Sequence, residues 1–201
     1  VPDSDSNPLD EVRDRLHRAE TELADELERL IEQNAERFRY TVREGRVRFE
    51  AGMRALHRRY RKGLLGYVRN APLGFILSAP LIYSLLLPLA LLDLFVTVYQ
   101  QVCFRIYRIG VVKRSDYIVI DRHMLGYLNL IEKVNCVYCG YANGLIGYCR
   151  EIAARTEQYW CPIKHARRVQ GPHGRAQAFF DYGDADRYHG DLEKIRAKLL
   201  D

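Results

Sequence analysis

The chain has 201 residues, a formal net charge of +5, 48% apolar residues and 28% charged ones. Its length suits one or two domains, yet the apolar residues are placed so unevenly that no single large water-soluble core is implied. Five cysteines make an odd number, and the opening VPDSDSNPLD is polar and acidic rather than a cleavable signal, so metal ligation or thiol chemistry in a reducing compartment is expected over a secreted disulfide scaffold.

Residues 1–8 read as disordered, and Asn7-Pro8 followed by Asp10 and Glu11 marks a helix start with acids in its first turn. Val12, Leu16, Ala19, Leu23, Leu27 and Ile31 continue in steps of three and four, which predicts a long amphipathic helix over residues 9–70, unbroken or hinged near Gly45. Within it an eleven-residue pattern begins at Arg37-Phe38, Arg48-Phe49 and Arg59-Tyr60, with Val42, Met53 and Leu64 four residues after each aromatic. Such a period keeps an apolar stripe almost parallel to the axis of an ordinary α-helix. The polar face is basic, with Arg39, Arg43, Arg46, Arg54, Arg58, Arg61 and Lys62 placed to meet anionic headgroups. Over residues 37–69 the pattern resembles the 11-mer amphipathic repeats of apolipoproteins and lipid-droplet coat proteins, which implies binding to a membrane surface. The same stripe also serves as a seam for a partner helix, including a second copy of the chain in a homo-oligomer. Nucleic acid is not expected: no helix-turn-helix, RNP or basic-zipper pattern accompanies the arginines.

The stretch Ala71 to Phe104 contains one charge, Asp93, and is long enough to cross the hydrocarbon, which about 20 helical residues span. Pro80 and Pro88 fall inside it, and both flanks are basic: Arg61, Lys62 and Arg69 before, Arg105, Arg108, Lys113 and Arg114 after. Prolines that break the helix, and a tendency for both basic flanks to stay on one side, favour a monotopic helical hairpin over a single span. Asp93 needs protein, an arginine or the interface beside it.

From residue 105 a cytoplasmic-side domain is expected, on the inner membrane if the source is bacterial. VVKRSDYIVI reads as a short strand or extended linker, helical spacing follows in Asp121 to Val134 and Asn143 to Tyr159, and a short charged helix closes the chain from about Asp191. Cys136-Val-Tyr-Cys139-Gly-Tyr suits a tight turn presenting two thiols to one ion, and Trp160-Cys161-Pro162 with His165 supplies a second pair of ligands. These residues resemble the knuckles of rubredoxins and zinc ribbons, which implies a tetrahedral zinc or iron site at Cys136, Cys139, Cys161 and His165. The position of a fourth cysteine is Lys164, so a mixed site suits zinc at least as well as iron. Cys149 is an alternative fourth ligand, though its place among Leu145, Ile146 and Ile152 reads as a buried small thiol. His123 and His173 are spare candidates for a ligand or base, and Glu151 with Arg155 four residues on reads as an ion pair. No P-loop, dinucleotide-binding glycine signature, G-x-S-x-G elbow or H-E-x-x-H is present.

The expectation is therefore a mainly α protein comprising a long amphipathic helix, an apolar membrane hairpin and a small helical metal domain. Its role would be a non-enzymatic anchoring or assembly subunit of a membrane protein complex. The alternatives are a membrane-tethered iron protein transferring electrons to a membrane enzyme, and a metal-dependent enzyme acting on a lipid.

Overall fold

The computed structural model describes residues 8–43 and 46–200. The disorder expected of the first seven residues and the hinge at Gly45 lie outside them, while Pro8 already opens a helix. The chain divides into two compact units, residues 1–61 and 62–201.

The first unit contains α1 (Pro8–Arg37), an antiparallel pair of strands β1 (Tyr40–Arg43) and β2 (Arg46–Phe49), and α2 (Ala51–Tyr60). A continuous helix over 9–70 is thus corrected. Its three eleven-residue copies place their aromatics in three settings: Phe38 just beyond α1, Phe49 on β2 and Tyr60 at the end of α2. The physical reason is a competing period of two. Tyr40-Thr-Val-Arg and Arg-Val-Arg-Phe49 alternate about a two-residue spacer ending in glycine, which is a hairpin signature. The register sets Tyr40 opposite Phe49 and Arg43 opposite Arg46. Arg39, at φ 50°, turns the chain out of α1, and the Phe49 ring packs between Tyr40 and the buried His57 of α2 at centroid distances of 5.6 and 4.7 Å.

The second unit opens with α3 (Leu64–Arg69), followed by α4 (Leu73–Ser84), α5 (Leu86–Tyr99), a π-helical turn (Gln100–Phe104) and α6 (Arg105–Tyr107). From Leu73 to Tyr107 these form one helical span of 35 residues, with Leu85 as a single turn residue between α4 and α5. The expected helical hairpin is corrected here too. Leu85 keeps right-handed helical dihedrals (φ −66°, ψ −14°), so the chain does not reverse. Pro88 lies in the first turn of α5, where a missing N–H costs least.

Arg108, at φ 57°, ends the helix. An extended connection with short 3₁₀ turns at Arg114–Asp116 and Arg122–Met124 then leads to α7 (Leu130–Trp160). Asn129 and Glu132 start α7 with a reciprocal capping box: the Asn129 side chain accepts from the Glu132 N–H at 3.0 Å, and Glu132 accepts from the Asn129 N–H at 2.8 Å. Helix α8 (Ala185–Ala197) is capped by Asp184 and ends the chain's regular structure. Polar pairs between residues 83 and 135, 93 and 141, and 100 and 148 rise together, so the apolar helix and α7 run in the same direction.

The core is Phe104, Ile109, Val112, Leu145, Tyr148, Ile152 and Leu199. The connection crosses α7 at Gly144, where a Cβ would lie 2.5 Å from the Tyr117 carbonyl oxygen and 2.8 Å from Ile118 Cα. Only glycine admits so close a backbone approach.

Candidate membrane interface

Among the described residues, Leu73–Tyr107 is the one helix long and apolar enough to cross a membrane, and none of its most apolar window is buried. Its two halves differ. Residues 73–77, 80–82 and 84–88 are exposed, with only Ser78, Ala79 and Tyr83 half-buried between them, a nearly all-round apolar surface that water does not tolerate in a stable solitary helix. From residue 89 one face is occupied and the other is bare. Leu87, Leu91, Leu94, Phe95, Val98, Val102 and Ile106 recur in helical steps, and all are exposed, Phe95 to 69% and Ile106 to 67%. A contiguous apolar surface of this length marks a lipid or protein contact rather than a water-facing side.

The occupied face carries Tyr83, Asp93, Tyr99 and Gln100. The Tyr83 hydroxyl donates to Asn135 Oδ1, and the Tyr138 hydroxyl donates to the Ile82 carbonyl at 3.0 Å. Asp93 receives both guanidinium nitrogens of Arg114, one at 2.7 Å, together with the Tyr141 hydroxyl at 2.8 Å. The charge that sequence alone flagged as costly is therefore matched by a bidentate arginine. Two turns on, Gln100 is 1% exposed: its Nε2 donates to the Tyr148 hydroxyl at 2.8 Å and its Oε1 accepts from the Val112 N–H at 2.8 Å. Tyr99 and Thr156 share a 2.9 Å hydrogen bond. Where α4 carries hydroxyls on its bare part, they fold back onto their own helix: Ser84 Oγ donates to the Leu81 carbonyl at 2.7 Å and Ser78 Oγ to Phe75 at 3.2 Å. Polar groups are satisfied inside the protein and the apolar surface is left outside, which is the arrangement lipid requires.

The metal site is overturned. Cys136 and Cys139 lie in the second and third turns of α7, whereas Cys161 caps its far end and His165 follows in coil. At 1.5 Å per residue the helix separates Cys139 from Cys161 by about 33 Å. The Asn129–Glu132 box starts the helix before the cysteines, so the knuckle that rubredoxins and zinc ribbons need never forms. No group of three or more His, Cys, Asp or Glu able to hold a metal ion occurs among the described residues, and all five thiols are free. Burial pushes the Cys149 thiol up, in keeping with a packed rather than reactive group. His173 is not a spare ligand but a partner of Glu157, Nε2 to Oε2 at 2.8 Å. Glu151 forms the ion pair with Arg155 at 2.9 Å and also receives Arg175 at 2.7 Å. Burial raises that carboxyl, but the hydrogen bonds from Arg175 and Arg155 outweigh it and hold Glu151 below the usual glutamate range.

The basic residues do not share one helix face. Arg39 ends the α1 turn and pairs with Glu50 at 3.8 Å, Arg43 and Arg46 oppose each other on the strands, Arg54 and Arg58 lie on α2, Arg61 caps it, and Lys62 begins the second unit. Sequence reasoning missed Arg114 and Tyr141 as a pair with Asp93. The available signal was the run of tyrosines at 83, 99, 138, 141 and 148, side chains with an apolar body and a polar tip that bridge packed helices. No known protein family, curated protein or solved structure matches the chain.

Proposed function

We propose that the protein is a membrane-attached anchoring or assembly subunit whose apolar helix lies in lipid while α7, α8 and the connection form a polar platform on one side of the bilayer. The observation that carries this reading is the two-sidedness of residues 87–102: an uncharged exposed stripe on one face, and on the other Asp93, Tyr99 and Gln100 bonded to Arg114, Thr156 and Tyr148. Attachment from one side fits better than a straight crossing. Because α7 runs parallel to the helix and Asn135 bonds Tyr83, the charged Glu132 and Lys133 stand beside α4, where a crossing would carry them into hydrocarbon. The basic flanks at Arg69 and Arg105 also stay on one side in this arrangement, as the positive-inside tendency favours, which for a bacterial source means the cytoplasmic side. The platform then serves to position a partner subunit of a membrane complex. The test is membrane association of the full chain: it should sediment with membranes, resist extraction by high salt and alkaline carbonate, and be released by detergent. Release by salt alone would contradict the reading.

A further inference from the structure

The strands of the first unit form a two-faced hairpin. Paired residues lie on one face, so Tyr40, Val42, Val47 and Phe49 make an apolar side, and Thr41, Arg43, Arg46 and Arg48 make the other. On that basic side Arg43 stands directly opposite Arg46, and Arg48 pairs with Thr41 one step along. All three arginines are exposed. Directly opposed like charges destabilise a strand pair. Glu50, which follows β2, is engaged by Arg39 at 3.8 Å. The apolar side supports the pair instead, with Phe49 held between Tyr40 and His57. A hairpin that is buttressed from behind and self-repelling in front is suited to an anion with several acceptor oxygens, which guanidinium groups bind in forks.

We propose that Arg43, Arg46 and Arg48 form a clamp for the phosphate of anionic lipid headgroups. This inference rests on the membrane-attached reading of the second unit. The lipid source is favoured because Arg61 and Lys62 join the hairpin's unit directly to the unit that carries the apolar helix, so headgroups are presented at high effective concentration. The exposed apolar side chains of Val42, Leu56 and Tyr60, interleaved with the arginines, also suit an interface more than a nucleic-acid backbone.

The experiment compares the full chain with Arg43→Gln/Arg46→Gln/Arg48→Gln in flotation with neutral phosphatidylcholine vesicles and with vesicles containing phosphatidylglycerol. The wild-type chain should partition more strongly onto anionic vesicles by roughly 100-fold at low salt, about fivefold for each arginine. The advantage should shrink as salt rises. The triple variant should lose most of it while floating with neutral vesicles as well as the wild type does. An anionic preference that survives in the triple variant overturns the clamp but leaves the attachment reading standing. Failure of the wild type to float with either vesicle overturns the attachment reading itself. Two competition arms address the source of phosphate: millimolar inorganic phosphate and single-stranded RNA should displace little protein, and displacement by either at concentrations that leave bulk ionic strength unchanged overturns the lipid assignment. Circular dichroism of the triple variant, expected to match the wild type because the apolar side is untouched, guards against unfolding.

Discussion

Gly144 tests the packing that holds the apolar helix to its platform. A methyl group there would meet two backbone atoms, the Tyr117 carbonyl oxygen at 2.5 Å and Ile118 Cα at 2.8 Å, whereas ordinary contact begins at 3.4 Å, so the connection must retreat by about 0.9 Å. Neither neighbour is the free end of a side chain, and the segment cannot swing aside without disturbing Val112, whose N–H is held by Gln100. Overpacking of this kind costs about 1–3 kcal/mol, and the better helix propensity of alanine returns about 1 kcal/mol. Gly144→Ala should therefore destabilise the unit by up to about 2 kcal/mol. Gly190 is the matched control: it lies inside α8 with nothing within 4 Å of its missing Cβ, so Gly190→Ala should stabilise by about 0.5–1 kcal/mol. Denaturant titration in mild detergent, followed by circular dichroism, reads both. Equal midpoints for the two variants would refute the close crossing of the connection over α7.

Gln100→Leu keeps the side chain's bulk but leaves the Val112 N–H and the Tyr148 hydroxyl without a buried partner, and a loss of about 3 kcal/mol is expected in the same titration. Stability should also depend on acid. Because the folded protein holds Glu151 below its usual range, the unfolded chain binds that proton more readily. The contribution is then complete above the ordinary glutamate value of about 4.3 and is lost as pH falls through the lower folded value. In Glu151→Gln that part of the acid-induced fall in melting temperature should disappear. Cys139→Ser and Cys161→Ser, both at exposed positions, should leave melting and metal content by elemental analysis unchanged. Loss of a bound metal together with a lower melting temperature would restore a ligand role for them.

The apolar helix was legible because composition alone decides it: one charge between Ala71 and Phe104 leaves few other environments. That Asp93 would need protein, an arginine or the interface beside it was legible too, though not which of these, because Arg114 reads as a flanking charge until the connection folds back. Two periodicities in one segment hid the hairpin. The eleven-residue spacing of Arg-aromatic pairs masks the alternation at 40–49, and strand pairing won because Tyr40, Phe49 and His57 form a small cluster. The cysteine motif failed for a different reason. C-x-x-C with glycine fits a knuckle or a helix surface equally, and the deciding residues, Asn129 and Glu132, stand upstream of it as a capping box. Gly140, Gly144 and Gly147 show helical spacing for a close approach, but only the fold reveals that the chain's own residues 117–120 supply the neighbour for Gly140 and Gly144, and Tyr117 that for Gly147.

The central claim, that the bare stripe of α5 faces acyl chains, is open to a direct measurement. The chain has a single tryptophan, Trp160, so Trp160→Phe provides a dark background into which Phe95→Trp places one reporter on the exposed stripe. In vesicles whose acyl chains carry bromine, fluorescence from position 95 should be strongly quenched, and an aqueous quencher such as iodide should have little effect. Strong quenching by iodide with none by bromine would place the stripe in water and contradict the account.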